Sequence, residues 1–176
     1  MAPRAKKHYV NNKTLYEEMI KYKEATAIAS GLGKQKPQIP RYVGECLMMI
    51  CSKLSTKPNF MNYSYRDDMI SDGIENCVHA VHNFDPAKSN NPFAYFTQIA
   101  WNAFIRRITS EKKQSYIKHK NYQNSFLMED QLDGASMNNN EFSDDIIRNF
   151  ENKIEAVKLE KKNKMNKALE ILNGQE

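Results

Sequence analysis

The sequence predicts an all-α fold, on three observations. Only six Gly and six Pro occur among 176 residues, while Met, Lys, Glu, Ile and Asn are plentiful, a balance that favours helices over turn-rich sheets. Apolar residues recur at steps of three and four, the period of a helix buried along one side. Cap-like residues and Asn-Pro or Asp-Pro pairs stand at the ends of those runs. The length suits one compact domain, or one domain with a small appendage, and excludes a large multidomain enzyme.

Thr14 with Glu17 has the form of a capping box, and Leu15, Met19, Tyr22 and Ala29 then mark an apolar stripe that stops near Gly31 and Gly33. Pro37 and Pro40 separate this first helix from a second, in which Val43, Cys46, Leu47, Ile50, Cys51 and Leu54 repeat at helical steps. Ser64 with Asp67 repeats the capping pattern before a third helix, carried by Ile70, Ile74, Cys77, Val78 and Val81 and stopped by Asp85-Pro86.

Asn91-Pro92, a cap followed by proline at the first helical position, opens a fourth helix with no breaker for about thirty residues. Phe96, Ile99, Ala100 and Ala103 on one side and Trp101, Ile105 and Ile108 on another make it the central, most buried helix. One strip escapes that pattern: Tyr95, Gln98, Asn102 and Arg106 share a polar face. The helix runs into a basic block, with Lys or Arg at 106, 107, 112, 113, 118 and 120 against the single acid Glu111. Glu129, Asp130, Asp133, Glu141, Asp144 and Asp145, with Gly134 and Asn138 to Asn140, form a stretch too polar to pack. We read roughly 128–142 of it as a flexible acidic linker. Ser143 can cap a last helix whose stripe is Met165, Ala168, Leu169 and Leu172. No internal repeat is present.

Catalytic chemistry is not legible, and no cofactor is expected. His79 and His82 lie three apart but lack a further His or Cys at ligand spacing, so they read as helix histidines and not as a metal site. Asp67, Asp68 and Asp72 could suggest a magnesium-dependent nuclease, yet acids in the first turns of a helix follow from its dipole. Gly31-Leu32-Gly33 reads as a helix stop and not as a phosphate loop. Cys46, Cys51 and Cys77 read as core thiols of a reducing compartment. No apolar run reaches the roughly 20 residues of a membrane span, and the basic residues from Arg4 to Lys7 are not followed by an apolar signal core, so a soluble intracellular protein is expected. From Phe84 to Arg107, aromatic residues mix with Asn, Gln and Arg ahead of the basic block. That mixture serves either core packing or contact with unstacked bases and phosphates.

Asp68, Met69-Ile70, Asp72-Gly73-Ile74, Ala80-Val81, Phe84-Asp85-Pro86, Phe93, Tyr95-Phe96 and Ile99-Ala100-Trp101-Asn102 resemble, in order and spacing, the second conserved region of bacterial sigma factors. The resemblance covers about 41–122. Within that family, Tyr9 to Asn12, Asn83-Phe84-Asp85, Asn91-Pro92 and Ala94-Tyr95 are most similar to the late-transcription sigma factors of T-even-like tailed phages.

The resemblance implies that Asp68, Ser71, Asp72, Ile74 and Val78 dock on the coiled coil of the largest subunit of the RNA polymerase core. It implies that the fourth helix reads a TATA-like minus-ten element and holds its opened strand. The DNA-binding residues so assigned are Phe84, Tyr95, Phe96, Ile99, Asn102, Ala103, Arg106 and Arg107, and we add Gln98 from the polar strip and Lys112 and Lys113 from the basic block. Two departures stand out. Ile99-Ala100 occupies the place of adjacent tryptophans in primary sigma factors, which puts unaided melting in question. Nothing after 122 suggests a helix-turn-helix for a minus-thirty-five element. Help would come from a co-activator and from a replication sliding clamp bound through Met165, Leu169, Ile171 and Leu172, although the family's clamp motif carries aromatic residues absent here. The same tail could instead fold back on the domain or fray.

The expected domain division is 1–40, N-terminal helix and linker; 41–122, polymerase- and promoter-binding domain; 123–142, flexible acidic linker; and 143–176, C-terminal helix with a candidate clamp-binding tail. The expected function is a non-enzymatic, sigma-like initiation factor for late phage promoters, acting in the host bacterial cytoplasm. A polymerase-binding scaffold or co-activator without DNA readout, and a small metal-dependent nuclease, are the alternatives.

Overall fold

The computed structural model describes the backbone of residues 9–133 and 141–173 and the side chains of 9–125 and 143–165. Five helices and no strand occur among the described residues, as the sequence predicts: α1 Asn12–Gly31, α2 Arg41–Ser55, α3 Arg66–Val81, α4 Pro92–Asp133 and α5 Glu141–Asn173. None is long and apolar enough to cross a membrane. The chain divides into two compact units, 1–108 and 109–176.

In the first unit the expected stripe of α2 is realised in full: Val43, Cys46, Leu47, Ile50, Cys51 and Leu54 are all buried. The stripe of α3 is rotated from the expected one. Met69, Gly73, Cys77 and Val81 are buried, Ile70 and Ile74 are half-buried at the margin, and Val78 is exposed. Gly73 causes the rotation, because it lets the Phe104 ring of α4 approach the α3 backbone; a Cβ placed there would lie 2.7 Å from Phe104 Cε1 and 3.2 Å from Cys51 Sγ. Along α4, Phe96, Ala100, Ala103 and Phe104 are buried, while Ile105 is 44% exposed, against the expectation that its side faces the core. Phe60, in the 56–65 connection, fills the space beside them, edge-on to Phe104 at 5.2 Å and to Trp101 at 4.7 Å.

Two of the three caps expected in the first unit move. Asn11, not Thr14, caps α1, its Oδ1 accepting from the amides of Lys13 at 3.1 Å and Thr14 at 3.4 Å, because the extended backbone ends at Asn11 and leaves Thr14 already helical. Tyr65 is the N-cap residue of α3 and makes no side-chain cap bond, so the Ser64 pattern is not used. The cap of α4 is as expected, with Asn91 Oδ1 accepting from Ala94 N at 3.0 Å. The turn after α1 passes through Gly33 at φ +66°, a left-handed conformation that favours glycine.

Helix α1 is tied into the same unit by polar contacts with no periodicity in sequence. Asn12 Oδ1 accepts from Phe93 N at 3.0 Å, Tyr16 Oη donates to the Pro86 carbonyl at 3.2 Å, and Lys23 Nζ donates to the His82 carbonyl at 2.6 Å. Tyr22 Oη lies 3.2 Å from His82 Nδ1.

The second unit pairs the later part of α4 with α5, antiparallel. The Tyr116 and Phe150 rings stack at 4.7 Å, Tyr116 Oη and Lys120 Nζ both reach Glu151, and Gln123 Nε2 donates to Asp144 Oδ1 at 3.0 Å. Ser143 lies inside α5, buried, with Oγ 3.0 Å from His119 Nδ1; the helix begins two residues earlier, at Glu141, so Ser143 is not its cap. Helix α4 continues through 123–133, the first part of the expected linker, and residues 134–140 lie outside those described.

Candidate nucleic-acid interface

The polar strip predicted from spacing is present on α4. Gln98, Asn102 and Arg106 are exposed and Tyr95 is half-buried. Gln98 Nε2 donates to Asn102 Oδ1 at 3.1 Å, an exposed i,i+4 bond that does not use the Gln98 carbonyl oxygen or the Asn102 amide group. Arg106 Nη2 donates to Asn76 Oδ1 of α3, which holds the guanidinium beside the strip. Tyr95 lays its ring against Phe84 at 5.3 Å and Phe96 at 5.1 Å and donates to the Ala80 carbonyl at 3.5 Å. Burial, with the Cys77 thiol nearby, pushes the Tyr95 phenol up from its ordinary value, so it stays a neutral donor. Sequence reasoning missed Ile105, whose helical position lies at the margin of the strip beside Gln98 and leaves an exposed apolar side chain there.

Other residues assigned to DNA contact sit elsewhere. Phe84, Phe96 and Ala103 are 1%, 0% and 2% exposed, so in this structure they support the strip from beneath and offer no face to a base. Ile99 is half-buried against the core cluster. Arg107 turns inward to Asp72, its Nε 2.7 Å from Oδ2 and its Nη2 3.0 Å from Oδ1, a two-point pair between α4 and α3. Lys112 and Lys113 are exposed in the second unit.

The residues assigned to polymerase docking are likewise divided. Asp68, Ser71 and Val78 are exposed on α3, Ile74 is half-buried, and Asp72 is engaged by Arg107. Ser71 Oγ donates to the Asp67 carbonyl at 3.0 Å. Glu75, which pairs loosely with His79 at 3.8 Å, extends this acidic face by one turn. The sequence signal for it was the run of acids Asp67, Asp68, Asp72 and Glu75.

No group of three His, Cys, Asp or Glu suited to a metal occurs among the described residues. All three cysteines are buried and free, and Cys77 Sγ donates to the Phe96 carbonyl at 3.5 Å. The hydrogen bond with Cys51, and then burial, push the Cys77 thiol far above its ordinary range.

No curated protein matches the chain significantly. Residues 55–114, about a third of the sequence, span the end of α2, the Phe60 connection, α3 and the strip-bearing part of α4, and they match the family model described as Sigma-70 region 2. That stretch of the chain is therefore sigma-factor-like, and the match points to RNA polymerase binding and transcription initiation.

Proposed function

We propose that this chain is a sigma-like initiation factor that binds the host RNA polymerase core through the exposed face of α3 and directs it, through the strip on α4, to TATA-like minus-ten elements of late phage promoters. The observation that carries the reading is a coincidence of position. The segment that matches the sigma family contains both an acidic face on α3 and, on α4, the exposed polar strip Gln98, Asn102 and Arg106 beside the buried Phe96, Ala100, Ala103 and Phe104. Gln and Asn present the donor and acceptor pair that reads adenine, and Arg suits guanine or phosphate. No minus-thirty-five recognition domain is part of the proposal, so a co-activator and a DNA-loaded sliding clamp would supply the missing affinity.

Runoff transcription with purified core polymerase on late-type and host-type promoters is the test. The protein should confer initiation on late-type templates only. Asn102→Ala with Arg106→Ala should lower runoff from a duplex TATA-like promoter by about tenfold or more, since each lost base contact costs about 1–3 kcal/mol, while core binding stays within about twofold. Unchanged promoter selectivity with intact core binding would make the protein a scaffold instead. Divalent-metal-dependent cleavage of plasmid without polymerase would make it a nuclease.

The clamp contact falls to the end of α5. Met165 is 61% exposed there, and the side chains of Leu169, Ile171 and Leu172 lie outside the described residues. The backbone remains helical to Asn173. Tethering to a ring on DNA raises local concentration without requiring a strong contact. Deleting residues 165–176 is expected to leave clamp-independent runoff intact and to remove clamp stimulation. Full stimulation of the truncated chain would exclude this assignment.

A further inference from the structure

Within the second unit, α4 and α5 enclose a groove of about 730 Å³, inside the size range of binding pockets. Its floor is apolar: Ile146, Phe150, Ile154 and Val157 fall at steps of four, four and three along one face of α5. Ile154 is 38% and Val157 52% exposed, so this face meets solvent where an amphipathic helix ordinarily meets protein. Lys112, Lys153, Lys158 and Lys161 line the same groove, and no carboxylate is among its lining residues. Four ammonium groups around an open apolar floor make the lining positive, and an occupant that carries negative charge beside an apolar face complements both features.

We propose that this groove is the docking site for an acidic amphipathic helix of a protein partner. Nucleic acid would use the lysines and leave the apolar floor uncovered. The chain's own segments do not fit. Residues 134–140 contain no acid, residues 1–8 carry Arg4, Lys6 and Lys7, and α5 itself continues as helix to Asn173. A second copy using the same face would bring the same lysines against these. From Ile146 to Lys161 the floor runs about 22 Å, roughly four helical turns, so an occupant of about sixteen residues with anchors at i, i+3, i+4 and i+7 would fill it. This inference shares only Lys112 with the residues assigned to DNA contact, and its test uses Val157, Lys158 and Lys161, which the sigma reading does not involve.

The test is fluorescence anisotropy with the full chain and a labelled synthetic peptide of about sixteen residues, with leucines along one helical face and glutamates on the flanks. Two comparison peptides have the same composition scrambled, or lysine in place of glutamate. The acidic amphipathic peptide should bind at least about tenfold more tightly than either. Val157→Glu should weaken it by about tenfold. Lys158→Glu with Lys161→Glu should weaken it similarly and bring the lysine peptide into binding, a reversal that simple misfolding would not produce. Equal binding of the scrambled peptide, or no response to either variant, would overturn the proposal. So would duplex DNA displacing the peptide from both wild type and Val157→Glu with equal ease.

Discussion

Phe104→Ala is expected to lower the free energy of unfolding by about 3–5 kcal/mol, measured by urea denaturation followed by circular dichroism. The Phe104 ring is fully buried, stands edge-on to Phe60 at 89°, and presses on the backbone of α3 at Gly73. Removing it opens a cavity bounded by α3, α4 and the 56–65 connection, which cannot all close together. Gly73→Ala tests the same contact from the other side. Overpacking against the ring costs about 1–3 kcal/mol, and the better helix propensity of alanine returns about 1 kcal/mol, so a net loss is expected in the wild-type background. In the Phe104→Ala background the clash is gone, and Gly73→Ala should become neutral or stabilising. If Gly73→Ala cost the same in both backgrounds, the ring would not be the reason for the glycine. A loss below about 1 kcal/mol for Phe104→Ala would contradict the packing described.

Asp72→Arg is expected to lower affinity for the polymerase core by at least about tenfold and to cost about 1–3 kcal/mol of stability, because it places a third cation beside Arg106 and Arg107 and breaks a two-point ion pair. The pair is about 30% exposed on each side, so solvent screening holds its own contribution toward the lower end of that range. The charge swap, Asp72→Arg with Arg107→Asp, separates the two effects. It should restore stability, since the staple between α3 and α4 is re-formed with its ends exchanged. It should leave core binding weak, since the acidic face of α3, carried by Asp67, Asp68, Asp72 and Glu75, keeps a misplaced positive charge. Recovery of core binding by the swap would reduce Asp72 to a positioning residue, and Asp68 and Val78 would then carry the docking.

The five helices, the full buried stripe of α2, the Asn91 cap and the polar strip of α4 were legible because each is periodic or local: a side chain and its partner stand within four residues of each other in sequence. What escaped depends on contacts between distant segments. Phe60 has no periodic context, and only the meeting of α3 with α4 turns it into core. The stripe of α3 was misjudged because Gly73 has no side chain and counts for nothing in an apolar pattern, yet its bare backbone is what the Phe104 ring packs on. Arg107 and Arg106 are neighbours of one type, and nothing local assigns Arg107 to Asp72 and Arg106 to Asn76, 35 and 30 residues away. Phe84 and Phe96 likewise read as core by their spacing and as base platforms by the family resemblance, and nothing local shows that both rings are buried. Helical segments and the polar face of α4 are readable from residue order, since 3.6-residue periodicity and capping are properties of single segments. Which aromatic rings are buried and which charges are already paired emerges from packing, because burial and ion pairing depend on distances between segments that the chain order does not specify.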